Sequence, residues 1–156
     1  MIRVHDESEQ ITFDVEGRAT MLESRAVQET ASAAIARGVR RVRFDLRDCT
    51  TMDSTFSGTL LALARRASAS GGDLALVSPS SRARELLGQM GLDDFYAIEL
   101  APRAKGETRD LEPSWPKPEE LGRLILEAHE ELAGVPGPAA EVFRPVVDAL
   151  RRNIPP

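Results

Sequence analysis

The sequence predicts an α/β fold, in which a small mixed, mostly parallel β-sheet flanked by helices precedes a C-terminal two-helix extension. Up to about residue 100, short strand-like apolar segments alternate with longer segments that carry apolar residues at helical spacing. Of the ten prolines only Pro79 precedes that point, so the composition of the chain changes there. We therefore expect an α/β domain at residues 1–100, a Pro-rich linker at 101–117 and a helical hairpin at 118–156.

The predicted elements of the first region follow one another as strand, helix, strand, helix, strand, helix and strand. Strands joined by helices should be parallel and linked by right-handed crossovers, whereas a short extra strand near residues 2–4 is expected to pair antiparallel through a tight turn. Gly17 is predicted to turn the chain after the first alternating strand, and Gly38 to end the first helix. The predicted strands span residues 11–15, 42–46, 74–77 and 95–98, and the predicted helices span 24–38, 54–70 and 80–90.

The last region is predicted to form two amphipathic helices that begin near Pro118 and Pro138, with Pro145 kinking or delaying the second. Because short isolated helices are barely stable, the first apolar stripe should pack on the α/β domain or on another chain, with Trp115 pinning the approach. A homodimer through these helices is one such arrangement, and a hairpin that orders only on a partner is the alternative. The first stripe is Leu121, Leu124, Ile125, Ala128 and Leu132, and the second is Val142, Phe143, Val146, Val147 and Leu150.

The composition argues against a nucleic-acid-binding protein, a metal- or disulfide-containing protein and a membrane protein. The net charge is −5, and the arginines are scattered among acidic residues, so we expect no direct contact with nucleic acid. Cys49 is the only cysteine and no Cys/His cluster has metal-site spacing, so we expect no disulfide, metal or cofactor. The apolar runs are short and the N-terminus has no signal-peptide pattern, which predicts a cytoplasmic protein without a membrane partner.

Residues 46–61 are the segment most informative about function. They are predicted to form the end of a strand, a short loop and the start of a helix. Asp53 is the predicted N-cap, because its carboxylate can accept from the free N–H groups of the first turn. Ser54 follows in an exposed first turn, where the positive end of the helix dipole favours an added phosphate. Thr55 and Ser57 are alternative phosphate acceptors, although structural roles are favoured for both.

The order Asp53-Ser54-Thr55-Phe56-Ser57-Gly58 after an alternating strand resembles the signature of STAS domains of the anti-sigma factor antagonist type. The resemblance extends over residues 2–100. It includes the Gly17 turn, the Gly-Gly-Asp-Leu entry to a strand at 71–74, and the segment 86–92 before the last strand.

The resemblance implies that Ser54 is the serine that a partner phosphorylates, that Asp53 is the acid before it and that Gly58 is the family's helix glycine. It implies a partner that is both serine kinase and anti-sigma factor, of the histidine-kinase-like ATPase type, and a PP2C-like phosphatase that resets the switch. Binding of the unphosphorylated protein to that partner would free a sigma factor for transcription. The expected partner-binding residues are Asp53, Ser54, Thr55, Phe56 and Ser57. Phe56 and Ser57 depart from the family pattern of a small and an apolar residue, and Phe56 is expected to alter the partner surface.

Two other functions stay open. One is a STAS-like scaffold for a different partner, such as a transporter, a sensor complex or a second copy, without a phosphorylation switch. The other is an enzyme that uses the loop from Asp48 to Ser54, which is disfavoured because neither a base nor an oxyanion site is evident. His5 and His129 are lone histidines in the sequence, and no acid or nucleophile pairs with either in a known motif. The module itself is therefore expected to catalyse nothing.

Overall fold

The computed structural model describes residues 1–154 and contains six strands and five helices. The strands are β1 (Ile2–Asp6), β2 (Gln10–Ala19), β3 (Arg41–Met52), β4 (Asp73–Val77), β5 (Ala97–Glu99) and β6 (Arg109–Leu111). The helices are α1 (Met21–Ala36), α2 (Ser54–Ala69), α3 (Ser81–Gln89), α4 (Pro118–Ala133) and α5 (Pro138–Asn153). Within these residues, none of the helices has the length and apolar character that a membrane span requires. Positions 155 and 156 of the predicted hairpin region lie outside the described residues.

The sheet has the order β5-β4-β3-β2-β1-β6. Strands β2 to β5 are parallel to one another, while β1 pairs antiparallel with both β2 and β6. The predicted fold class, a mixed and mostly parallel sheet flanked by helices, is confirmed.

The centre of the core is a row of apolar side chains across three parallel strands. The register pairs Phe13 with Phe44 and Phe44 with Leu76, and all three side chains are fully buried. The rings of Phe13 and Phe44 stack with centroids 4.7 Å apart. Because alternate strand residues point to one face, this register fixes which face of the sheet the helices cover.

The two central strands are longer than the sequence pattern indicated. β2 continues past Gly17 to Ala19, so the predicted turn at Gly17 is wrong. Gly17 has φ +78° and lies where the register between β2 and β3 shifts, which is a bulge that a glycine accommodates without a Cβ clash. β3 likewise runs to Met52, so the predicted short loop before Asp53 is absent and strand leads almost directly into helix.

The region expected to be a linker contains β6, which adds an edge strand to the sheet beside β1. Its alternation is only three residues long, too short to be recognised as a strand from the sequence. The expectation that Trp115 pins this segment is wrong, because its side chain is 78% exposed. The backbone makes a contact instead: the N–H of Ser114 donates to the carbonyl of Leu22 at 3.1 Å.

The C-terminal helices form an antiparallel pair, and α4 packs along α2. Leu124, Ala128 and Leu132 of the first stripe are buried, while Leu121 and Ile125 are partly covered. The second stripe is rotated from the prediction. Val142 and Val146 are exposed, whereas the buried side chains of α5 are Ala139, Ala140, Phe143 and Val147. Pro145 lies inside α5, which continues through it to Asn153.

Candidate functional site at the start of α2

Asp53 connects the first turns of two helices. One carboxylate oxygen, Oδ1, accepts from the backbone N–H of Phe56 at 2.8 Å, which is the predicted N-cap bond. The other, Oδ2, accepts from the N–H of Met21 at 2.8 Å, at the start of α1. The carboxylate therefore fixes the position of the first turn of α2 relative to α1, and with it the position of the residue that follows.

Replacing Asp53 with alanine is expected to lower the free energy of unfolding by about 2 kcal/mol, at the upper end of measured N-cap losses because two backbone donors lose their acceptor. Asp53→Asn keeps one accepting oxygen and should lose less. Urea denaturation of the two variants and the wild type measures the difference. An Asp53→Ala variant as stable as the wild type would show that the carboxylate is not a structural cap.

Ser54 lies at the first helical position of α2, but it is not freely exposed as expected. Its side chain is half-buried, and its Oγ lies 3.0 Å from Nε2 of His129 on α4. The other ring nitrogen of His129, Nδ1, lies 2.7 Å from the carbonyl oxygen of Ile125. Since a carbonyl only accepts, Nδ1 carries a proton and donates to Ile125. In the neutral imidazole, Nε2 then accepts from the Ser54 hydroxyl.

His129 is held rigidly in this position. Its side chain is only 7% exposed, and its ring contacts the Phe143 ring of α5 in a T-shaped arrangement with centroids 5.6 Å apart. Both helices of the C-terminal pair thus take part in covering Ser54. The sequence distance between Ser54 and His129 is 75 residues, so motif analysis could not associate them. One feature of the sequence does indicate that His129 is buried: it follows Ile125 by one helical turn and so shares the apolar face of α4.

Three of the predicted partner-binding residues are buried. Phe56 is fully buried and its ring packs against the Phe44 ring in a T-shaped arrangement with centroids 6.3 Å apart, so it is a core residue. Ser57 is also fully buried, and its Oγ donates to the carbonyl of Asp53 at 3.0 Å. Thr55 is buried as well. The expectation that Phe56 shapes a partner surface is therefore wrong for this conformation, in which only Asp53 and Ser54 of the predicted set retain exposure.

At Gly58 the backbone of α4 lies directly against α2. A Cβ atom built on Gly58 would lie 2.1 Å from the carbonyl oxygen of Ala128 and 2.7 Å from its Cα. Backbone atoms at those distances cannot be cleared by a side-chain rotation. Gly58, one turn beyond Ser54, therefore allows the two helices to pack backbone to backbone.

Ion pairs surround this contact. Arg65 of α2 pairs with Glu131 of α4, and Arg25 of α1 pairs with Glu120 in the first turn of α4. The pKa of Glu120 is lowered, first by the hydrogen bond from the backbone N–H of Lys117 and then by Arg25. These pairs connect acidic side chains of α4 to basic side chains of α1 and α2.

Cys49, near the end of β3, is buried and its Sγ lies 3.5 Å from the carbonyl oxygen of Thr51. Burial raises the pKa of its thiol, which keeps the sulfur protonated at neutral pH. The residue is a small core side chain, separate from the Ser54 site.

Comparisons with known proteins agree with this architecture. The structure is similar to that of the anti-sigma factor antagonist SpoIIAA in its unphosphorylated form, with a TM-score of 0.57 and 20% identity over 64% of this chain and 88% of that one. The phosphorylated form of SpoIIAA from Bacillus gives a TM-score of 0.53 at 21% identity, covering 64% of this chain and 91% of that one. A candidate anti-sigma factor antagonist from Thermotoga maritima gives 0.55 at 20% identity, covering 61% and 82%. These likenesses concern the fold.

The sequence comparisons separate the α/β domain from the tail. A search of curated proteins finds no match. The family model described as "Mlab, STAS domain" matches residues 2–102, so β6 and the helical pair α4–α5 lie beyond the matched range. Because that match spans well over half of the chain, this protein belongs to the STAS-domain family.

Proposed function

We propose that this protein is an anti-sigma factor antagonist-like regulatory module, switched by phosphorylation of Ser54. In this proposal the unphosphorylated form binds a serine kinase of the histidine-kinase-like ATPase type that is also an anti-sigma factor. That binding controls transcription by the sigma factor, and a PP2C-like phosphatase resets the switch. The observation that carries the proposal is the position of Ser54: a hydroxyl at the first residue of a helix capped by Asp53, in a STAS domain.

The chemistry of a helix start supports a phosphate there. Free backbone N–H groups and the positive end of the helix dipole stabilise negative charge without unfolding the helix. Because Asp53 already caps α2, the Ser54 hydroxyl is not needed to begin the helix. A phosphate adds about −1.5 to −2 charges beside the Asp53 carboxylate, which repels a partner surface complementary to the unmodified serine.

A scaffold function without phosphorylation is the second candidate. The half-burial of Ser54 and its hydrogen bond with His129 favour it, because in this conformation α4 partly covers the hydroxyl that a kinase would have to reach. The two candidates differ in the partner and in the modification. Affinity capture followed by mass spectrometry should recover a histidine-kinase-like ATPase under the first, and phosphopeptide mapping should place phosphate on Ser54.

The switch is tested by binding to the recovered ATPase. Ser54→Asp should bind about tenfold more weakly than the wild type, a difference of about 1.4 kcal/mol, because a second carboxylate beside Asp53 adds like-charge repulsion and a desolvation cost at the interface. Ser54→Ala should bind about as tightly as the wild type. Titration calorimetry of both variants measures the change. Ser68→Asp, the same substitution at an exposed position of α2, is the matched control and should bind normally. Equal weakening by Ser54→Asp and Ser68→Asp, or no weakening by either, would contradict a switch at Ser54.

A further inference from the structure

The helical pair α4–α5 covers the face of α2 on which Ser54 lies. The Ser54 hydroxyl is hydrogen-bonded to His129 of α4, and the backbone of Ala128 packs against Gly58. Leu132, one helical turn further, is fully buried in the core. A second protein that approaches Ser54 along α2 therefore meets α4 first.

The contact between α4 and the domain is complementary in charge as well as in shape. A groove between α2 and α4 is lined by Arg65 and Arg66 on one side and by Glu127, Glu130 and Glu131 on the other. The remaining surface of contact is a small-residue seam at Gly58 with apolar side chains on either side. The surface of α2 therefore suits an amphipathic helix that has acidic residues beside its apolar face.

The connectivity allows this helical pair to move as a unit. No strand of the described sheet follows β6, so α4 and α5 can leave α2 without removing a strand from the sheet. The segment 112–117 that joins them to β6 is exposed or half-buried at every position, and its Trp115 is exposed. The cost of leaving is the exposure of apolar side chains on α4 and α5, which keeps the covered arrangement dominant.

We propose that the α4–α5 pair is an internal competitor of the partner: α4 occupies a helix-docking surface on α2, and the partner kinase reaches Ser54 only after α4 leaves. This inference rests on the proposed function for the identity of the partner. The covering of Ser54 by α4 can be measured without any partner.

The experiment measures how fast iodoacetamide alkylates the thiol introduced by Ser54→Cys in the full chain, with the modified site identified by peptide mass spectrometry. Cys49 is the internal reference for global unfolding, since its thiol is buried and protonated.

Two sets of substitutions are used to detach α4 from α2. The first is Arg25→Glu with Arg65→Glu, which places like charges opposite Glu120 and Glu131 without changing a core side chain. The matched control adds Glu120→Arg and Glu131→Arg, which restores both pairs with their signs exchanged. Ala128→Glu is a second, stronger opening variant, since it places a charged side chain in the seam with Gly58.

We expect slow alkylation at position 54 in the otherwise unaltered chain, about tenfold faster alkylation in the double charge-reversal variant, and return to the slow rate in the exchanged-pair control. Ala128→Glu should accelerate alkylation by about a hundredfold while Cys49 stays unmodified. In the covered state His129 lies beside the introduced thiol and could raise its reactivity by favouring the thiolate. This effect would speed alkylation in the covered state, so it cannot produce the faster alkylation expected on opening. Equal rates in all variants, or alkylation of Cys49 in step with position 54, would overturn the proposal. The same opening substitutions are also made in the chain that keeps Ser54. If they speed alkylation in the Ser54→Cys chain but the recovered ATPase never phosphorylates Ser54 in the chain that keeps it, the proposed function is overturned and the covering by α4 stays intact.

Discussion

Truncating Leu132 to alanine is expected to lower the free energy of unfolding by about 2–5 kcal/mol, the range for a leucine deleted from a packed core. Leu132 is fully buried and belongs to the same apolar cluster as the sheet residues Phe13 and Phe44. A helix that merely followed the domain on a flexible linker could not produce so large an effect. Urea denaturation monitored by circular dichroism measures the loss.

Val142→Ala is the matched control for this experiment. Val142 lies in α5, on the same helical pair, but its side chain is 55% exposed. Its truncation should change stability by no more than about 0.5 kcal/mol, because exposed side chains contribute little to the core. Equal effects of the two truncations, or a separate early transition for the helices in the wild type, would mean that α4 and α5 are not part of the domain core.

The sequence was sufficient for the fold class, because helix caps, glycines and prolines separate its strand-like segments from its helical ones. The buried run 74–77 and the capped helix from Ser54 are examples, and both agree with the structure to within one residue. The N-cap role of Asp53 could be predicted because it depends on local backbone geometry. Its second bond, to Met21, could not be, since it joins segments 32 residues apart.

The errors have a common physical origin in contacts that are distant in sequence. Phe56 is expected to alter a partner surface because it stands where the family pattern has a small residue, yet it packs on Phe44 in the core. The sequence predicts a turn at Gly17, whereas in the structure its positive φ serves a bulge inside β2. No local motif pairs His129 with Ser54, because the position of α4 over α2 is set by tertiary packing. No local pattern in the sequence encodes that position.

A pair of glycine-to-alanine substitutions tests whether α4 packs on α2 beside Ser54. In a helix interior, alanine is more favourable than glycine by about 0.5–1 kcal/mol. Gly122 of α4 meets only ordinary contacts, with its nearest neighbours at 3.5 Å in the side chain of Ile154, so Gly122→Ala should raise stability by that amount. At Gly58 the added methyl would lie 2.1 Å from the Ala128 carbonyl oxygen, and α4 must shift to admit it.

We therefore expect Gly58→Ala to lower the free energy of unfolding by about 1–3 kcal/mol, the usual cost of overpacking, although helix propensity alone favours the opposite sign. The measurement is the difference between the two variants in urea denaturation under the same conditions. Opposite signs, with Gly122→Ala stabilising and Gly58→Ala destabilising, are the result predicted by α4 resting on Gly58. A Gly58→Ala variant stabilised as much as Gly122→Ala would show that α4 does not lie on α2 in solution, and Ser54 would then be uncovered.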